Sequence, residues 1–170
     1  MDSSVQRMAD GFRTAVQMEA DGYSFYLMAA RSTTDPKGQE VFRTLADEEL
    51  GHMEFLKTQY KSVMETGGID VDARLGPRKA LAGENPIFSD AINGRIKDAQ
   101  IEVSALSIGI QLELNSISFY TKQAGEETDP IVRKFYKELA EWESGHYHAL
   151  LRQQDSLKED YWVSGGFAPF

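Results

Sequence analysis

The sequence predicts an all-α protein, a four-helix bundle made of two repeated αα-hairpins joined by a long crossover. Three observations predict it. Four long segments carry apolar residues at alternating spacings of three and four, the connections between them run short, long, short, and the second half of the chain repeats the first. No alternating strand pattern competes with the helical period.

The first segment runs from about Val5 to Arg31, along Met8, Phe12, Ala15, Glu19, Tyr23, Tyr26 and Ala30. It stops at Ser32-Thr33-Thr34-Asp35-Pro36, where Asp35 reads as an N-cap and Pro36 as the first residue of the next helix, a position where a missing N–H costs nothing. The second runs from Pro36 to about Thr66 along Phe42, Leu45, Glu49, His52, Leu56, Tyr60 and Val63, and ends at Gly67-Gly68. Residues 67 to about 93, with Pro77 and Pro86 around a weakly apolar Ile87-Phe88, form the crossover, with room for a short helix. The third helix is expected from about Gly94 to Ala124 along Val103, Leu106, Ile110, Glu113, Ile117 and Tyr120. The fourth follows Asp129-Pro130 through Val132, Phe135, Leu139, Glu143, His146, Leu150, Gln153 and Leu157. Two hairpins with one long connection between them are the ferritin-like variant of a four-helix bundle. Residues 1–158 form this domain, and residues 159–170 form an aromatic tail expected to pack on a neighbouring element or subunit.

Composition narrows the function. The chain has 170 residues, 41% hydrophobic and 26% charged, enough to bury the core of one domain. Its net charge of -9 and pI of about 4.8 work against binding nucleic acid or an anionic membrane. The absence of cysteine removes disulfides, thiolate catalysis, iron–sulfur clusters and iron held by four thiolates, so any metal must be held by oxygen and nitrogen. No apolar stretch marks the first residues as a secretion signal and no window is long enough to span a bilayer, so a cytoplasmic location is expected.

At an offset of 94 residues, Gln17 aligns with Gln111, Glu19 with Glu113, Ser24-Phe25-Tyr26 with Ser118-Phe119-Tyr120, and Thr34-Asp35-Pro36 with Thr128-Asp129-Pro130. Leu45-Ala46 aligns with Leu139-Ala140, and Glu49-x-Gly51-His52 with Glu143-x-Gly145-His146. The 40 positions from Gln17 to Leu56 hold 15 identities without a gap, so a site between the halves should have pseudo-twofold symmetry.

Six residues interrupt the apolar seams: Glu19, Glu49, His52, Glu113, Glu143 and His146. An ordinary helical glutamate lies on a solvated face, but these four have mostly apolar or aromatic neighbours one turn away. Four buried, unpaired carboxylates would cost several kcal/mol each, comparable together to the ~5–15 kcal/mol stability of a domain. No lysine or arginine shares the seam close by, so metal ions are the simpler compensation. Glu-x-x-His puts both side chains on one helical face, and two such motifs opposite two single glutamates make a dinuclear carboxylate site. Two divalent ions neutralise the four carboxylates. These ligands suit iron, and also manganese or zinc.

Tyr26 and Tyr120 each lie two turns beyond a seam glutamate. They are either core aromatics or groups that orient Glu143 or Glu49 or take part in electron transfer. His148 is read as a surface residue or one behind a ligand, and Trp142 and Tyr147 as inter-helix or dimer packing.

With these motifs the chain resembles the rubrerythrin family of the ferritin-like superfamily, in the short form that has the di-iron domain alone, over about residues 5–158. The resemblance implies a di-iron centre with Glu49 and Glu143 bridging, Glu19 and Glu113 terminal, and His52 and His146 one per iron. It also implies an oxidoreductase that reduces hydrogen peroxide with electrons from a separate donor protein, and a homodimer. A ferroxidase serving iron storage or delivery, with oxygen as the oxidant, is the alternative. The chain departs from the family pattern on the third helix, where rubrerythrins carry Glu-x-x-Glu. Ile110 and Ser116 flank Glu113 at that spacing, and Val16 and Gly22 flank Glu19. The ligand set thereby moves toward that of bacterioferritin-type symmetric sites.

Overall fold

The computed structural model describes residues 3–76, 87–89, 92 and 100–164, with side chains to residue 159. Four helices carry the chain: α1 (Ser3–Ser32), α2 (Pro36–Thr66), α3 (Gln100–Glu126) and α4 (Pro130–Ser164). No strand occurs among the described residues. The helices α1 and α2 pack along one another as one hairpin, α3 and α4 as the other, and α1 meets α3 where the hairpins face. This is the ferritin-like four-helix arrangement expected from the repeat.

The helix ends follow local chemistry. Asp35 has extended backbone, and its Oδ1 accepts from the Gly38 N–H at 2.8 Å, satisfying a donor that the first turn leaves open. Asp129 does the same for α4, accepting from Ile131 N–H at 2.7 Å. Gly67 closes α2 in the left-handed region, with φ of 81°, and its N–H reaches Val63 O at 3.0 Å. A side chain there would be strained, which is why glycine stands at this C-cap.

The second helix has the bounds expected from the sequence. The fourth extends further, to Ser164, so Tyr161 to Ser164 are helical rather than part of a tail. The expected start of the third helix at Gly94, the Pro77 and Pro86 region and residues 165–170 lie outside the described residues.

Two apolar clusters fill the two ends of the bundle. One gathers Tyr26, Phe42, Leu45, Phe88, Leu106 and Leu150, and the other Phe12, Leu56, Tyr120, Phe135, Tyr136 and Leu139. Between them each helix contributes buried charge, and that band is where the six seam residues lie.

Polar contacts fasten the loop between α1 and α2 to the rest of the chain. Glu102, at the start of α3, accepts from the Thr33 hydroxyl at 2.7 Å and the Thr34 N–H at 2.9 Å. Asp35 also takes the Ser89 N–H at 3.2 Å and the Ser89 hydroxyl, and Gln153 on α4 accepts from Ile87 N–H. The end of the crossover is thus held by both hairpins. Among the described residues no helix is long and apolar enough to cross a membrane.

Candidate metal centre

All six seam residues are buried, with Glu19, Glu113, Glu143 and His146 at 1–2% exposure in the middle of the bundle. Their helices bring them together as two quartets. Glu19, Glu49, His52 and Glu143 form one, and Glu49, Glu113, Glu143 and His146 the other. Within each quartet one candidate ligand atom per residue lies within 4.8 Å of all the others. Glu49 and Glu143 belong to both, so the quartets adjoin across a shared pair of carboxylates and follow the pseudo-twofold relation of the repeat.

Both imidazoles turn Nδ1 toward the carboxylates. His52 Nδ1 lies 3.2 Å from Glu19 Oε2 and 3.1 Å from Glu143 Oε1. His146 Nδ1 lies 3.3 Å from Glu143 Oε2, 3.5 Å from Glu49 Oε1 and 3.7 Å from Glu113 Oε1. The rings are nearly parallel at 14°, with centroids 6.0 Å apart.

Protons compensate this charge in the metal-free protein. Burial pulls the His52 imidazole down, but Glu143 and Glu19 outweigh it and push its pKa up to about 10. His146 is raised in the same way, against burial, by Glu113, Glu143 and Glu48. Burial, with Glu143 and Glu19 beside it, holds Glu49 well above the usual carboxylate range. Glu113 is raised by burial, less His146's attraction, to about 8. Glu143 moves down: burial opposes its charge, but two imidazoles face it. It stays ionised because Glu49, Glu113 and the two imidazoles hold the protons.

Both oxygens of Glu143 and Nδ1 of His146 have no hydrogen-bond partner among the described residues. A buried carboxylate faced only by two imidazoles, without an aligned hydrogen bond, is expensive unless a cation takes its oxygens. The donor set, four carboxylates and two imidazoles, fits a pair of divalent ions of the iron, manganese or zinc type.

A model of the rubrerythrin family matches residues 10–153. The chain belongs to the rubrerythrin family. No curated protein and no solved structure matches it significantly. As a rubrerythrin domain it lacks the extra carboxylate on the third helix, and a cavity of about 140 Å³ lies at that place between α1 and α3. Repeat-related pairs line it: Met18 with Leu112, Asp21 with Asn115, and Gly22 with Ser116. Tyr26, Glu49 and Glu113 line it as well. Gly22 makes the approach possible, since a Cβ there would stand 3.3 Å from the Glu49 carboxylate.

The tyrosines orient different carboxylates from those expected. Tyr26 on α1 donates to Glu113 Oε1 on α3, and Tyr120 on α3 donates to Glu19 Oε1 on α1. Neither hydroxyl bonds to Glu49 or Glu143, because the hairpins face each other so that each tyrosine lies beside the single glutamate of the opposite half. Burial, with the carboxylates' charge adding to it, keeps both hydroxyls protonated. His148 is exposed, as its offset from His146 suggested, and Tyr147 packs edge-on against it at 5.0 Å. Trp142 stands edge-on to His52, with centroids 5.0 Å apart at 80°.

One functional residue was missed. Glu48 is buried, and its Oε2 lies 2.6 Å from His146 Nε2. Beside Glu49 on the helix it reads as a solvated neighbour. Its counterpart in the repeat, Trp142, is aromatic, and that mismatch directly before the recurring Glu-x-Gly-His motif is the signal that could have found it.

Proposed function

We propose that this protein is a non-haem di-iron oxidoreductase that reduces hydrogen peroxide, taking electrons from a separate donor protein. The observation that carries the reading is the pair of buried quartets sharing Glu49 and Glu143, with a cavity leading to their Glu49–Glu113 side. Glu19 and His52 would complete one iron's ligands, Glu113 and His146 the other's. The cavity has room for a few water-sized molecules and is smaller than the ~300–1,000 Å³ of ordinary metabolite pockets, which suits a small oxidant.

When bound, a ferrous pair would supply two electrons to the O–O bond and the Lewis acidity that polarises it. The chain's own residues do the rest. Glu49, Glu113 and Tyr26 meet the oxidant in the cavity. Tyr26 keeps its proton and donates it to Glu113, holding that carboxylate at the cavity, and Tyr120 holds Glu19 in place on the other side. The net reaction, one peroxide with two electrons and two protons giving two waters, returns the site to its starting state once the donor has supplied the electrons.

The ferroxidase reading has one observation in its favour, a ligand set symmetric between the halves with no fifth carboxylate beside Glu113. Anaerobic loading with ferrous iron, then stopped-flow mixing with peroxide or with oxygen, separates the two. Oxidation faster with peroxide, at two irons per chain, supports the peroxidase. Preferential oxidation by oxygen with continued iron uptake supports the ferroxidase.

A homodimer belongs to the same proposal. Ile101 and Ile108, seven residues apart and so on one side of α3, stand exposed and would be covered against a second copy. A purely monomeric sedimentation profile at micromolar concentration would exclude it.

A further inference from the structure

The repeat makes the two halves of the site nearly equivalent, yet it fails at the position just before the Glu-x-x-His motifs. The residue before the shared glutamate is Glu48 on α2 and Trp142 on α4. Each reaches across to the histidine of the other hairpin. Glu48 Oε2 lies 2.6 Å from His146 Nε2, a charge-assisted hydrogen-bond distance. Trp142 instead presents its ring edge-on to His52, whose Nε2 has no hydrogen-bond partner among the described residues.

From this difference we infer that Glu48 is a positioning residue that makes the two metal positions unequal, so that the Glu49–Glu113–Glu143–His146 position takes up the first divalent ion. The inference rests on the dinuclear reading above. An imidazole that ligates through Nδ1 must carry its hydrogen on Nε2, and a carboxylate that accepts this hydrogen fixes the tautomer, holds the ring in one orientation and makes Nδ1 a better donor. Glu48 does this for His146. An indole has a donor N–H and no acceptor, so Trp142 cannot do it for His52. Outer partners of this kind are worth ~10–100-fold in metal affinity. The tighter position is also the one whose Glu49 and Glu113 line the cavity, so the first ion bound is the one nearest the oxidant's approach.

The test is a cobalt(II) titration of the full chain, read by calorimetry and by the visible ligand-field bands. The expected result is two steps at least tenfold apart. Glu48→Gln should weaken the first step ~10–100-fold and leave the second in place. Trp142→Glu should tighten the second. His146→Ala should remove the tight step and His52→Ala the weak one, and this pair decides the matter where Glu48→Gln fails to fold. Two ions bound in equal steps, a Glu48→Gln effect shared equally by both, or loss of the tight step in His52→Ala would overturn the inference while leaving the dinuclear site standing. Failure to bind two ions per chain would instead remove the dinuclear reading itself.

Discussion

Tyr120 on α3 donates its hydroxyl hydrogen to Glu19 on α1, tying the two hairpins together at the wall of the site. Tyr26 and Glu113 repeat the contact in the opposite sense. The tyrosines therefore hold the single glutamates before any ion arrives, and the shared glutamates depend on ions or protons alone.

Tyr120→Phe should keep both metal positions but destabilise the metal-free protein. It leaves a buried carboxylate oxygen without its donor, a loss of ~1–3 kcal/mol. Urea denaturation should show a smaller loss in the metal-loaded form, where the ion satisfies Glu19.

Glu49→Ala or Glu143→Ala should abolish dinuclear binding, because each removes a ligand from both quartets at once. Metal analysis after loading and desalting should give one ion per chain or fewer. Two full-occupancy irons in either variant would refute the assignment.

Metal uptake should release protons and tighten as pH rises. Around neutral pH the metal-free site keeps protons on Glu113 (about 8) and His52 (about 10), with Glu49 and His146 also raised, and each must yield its proton to become a ligand. These groups have folded pKa values above their unfolded ones, so their stabilisation is lost as pH rises through the folded values. Thermal melts of the metal-free protein should accordingly fall as pH rises from the ordinary carboxylate range, through Glu113 up to about 8 and through His52 up to about 10, and those of the loaded protein much less.

Acid should act away from the metal site, where the loop between α1 and α2 is fastened. Burial opposes charge on Asp35 and Glu102, but hydrogen bonds outweigh it, from Ser89 and the Gly38 N–H to the first and from Thr33 and the Thr34 N–H to the second. Both carboxyls are lowered, so their contribution is complete above the usual carboxylate range and is lost as pH falls through their folded values, below ~4. Asp35→Ala should cost ~1–2 kcal/mol at neutral pH and flatten this acid limb of the stability curve.

The fold was legible because its evidence is local and repeated. The period of α1 and α2, the Asp-Pro helix starts and the offset of 94 residues can each be read along the chain. The six candidate ligands were legible because a glutamate on an apolar seam is costly and this one recurs in register. What escaped depends on how the hairpins meet. Which carboxylate Tyr26 reaches, and that Glu48 turns inward to His146, are set by the packing of α1 on α3 and of α2 toward α4, which no spacing within one helix encodes. The contacts of Asp35 with Ser89 and of Glu102 with Thr33 join segments more than fifty residues apart, and the repeat does not duplicate them.

The central claim is that two ions share Glu49 and Glu143. Anomalous diffraction at the iron edge from anaerobically loaded crystals tests it most directly. The account predicts two peaks per chain, one bounded by Glu19 and His52 and the other by Glu113 and His146, each in contact with both shared glutamates. A single peak, or peaks away from Glu49 and Glu143, would contradict it.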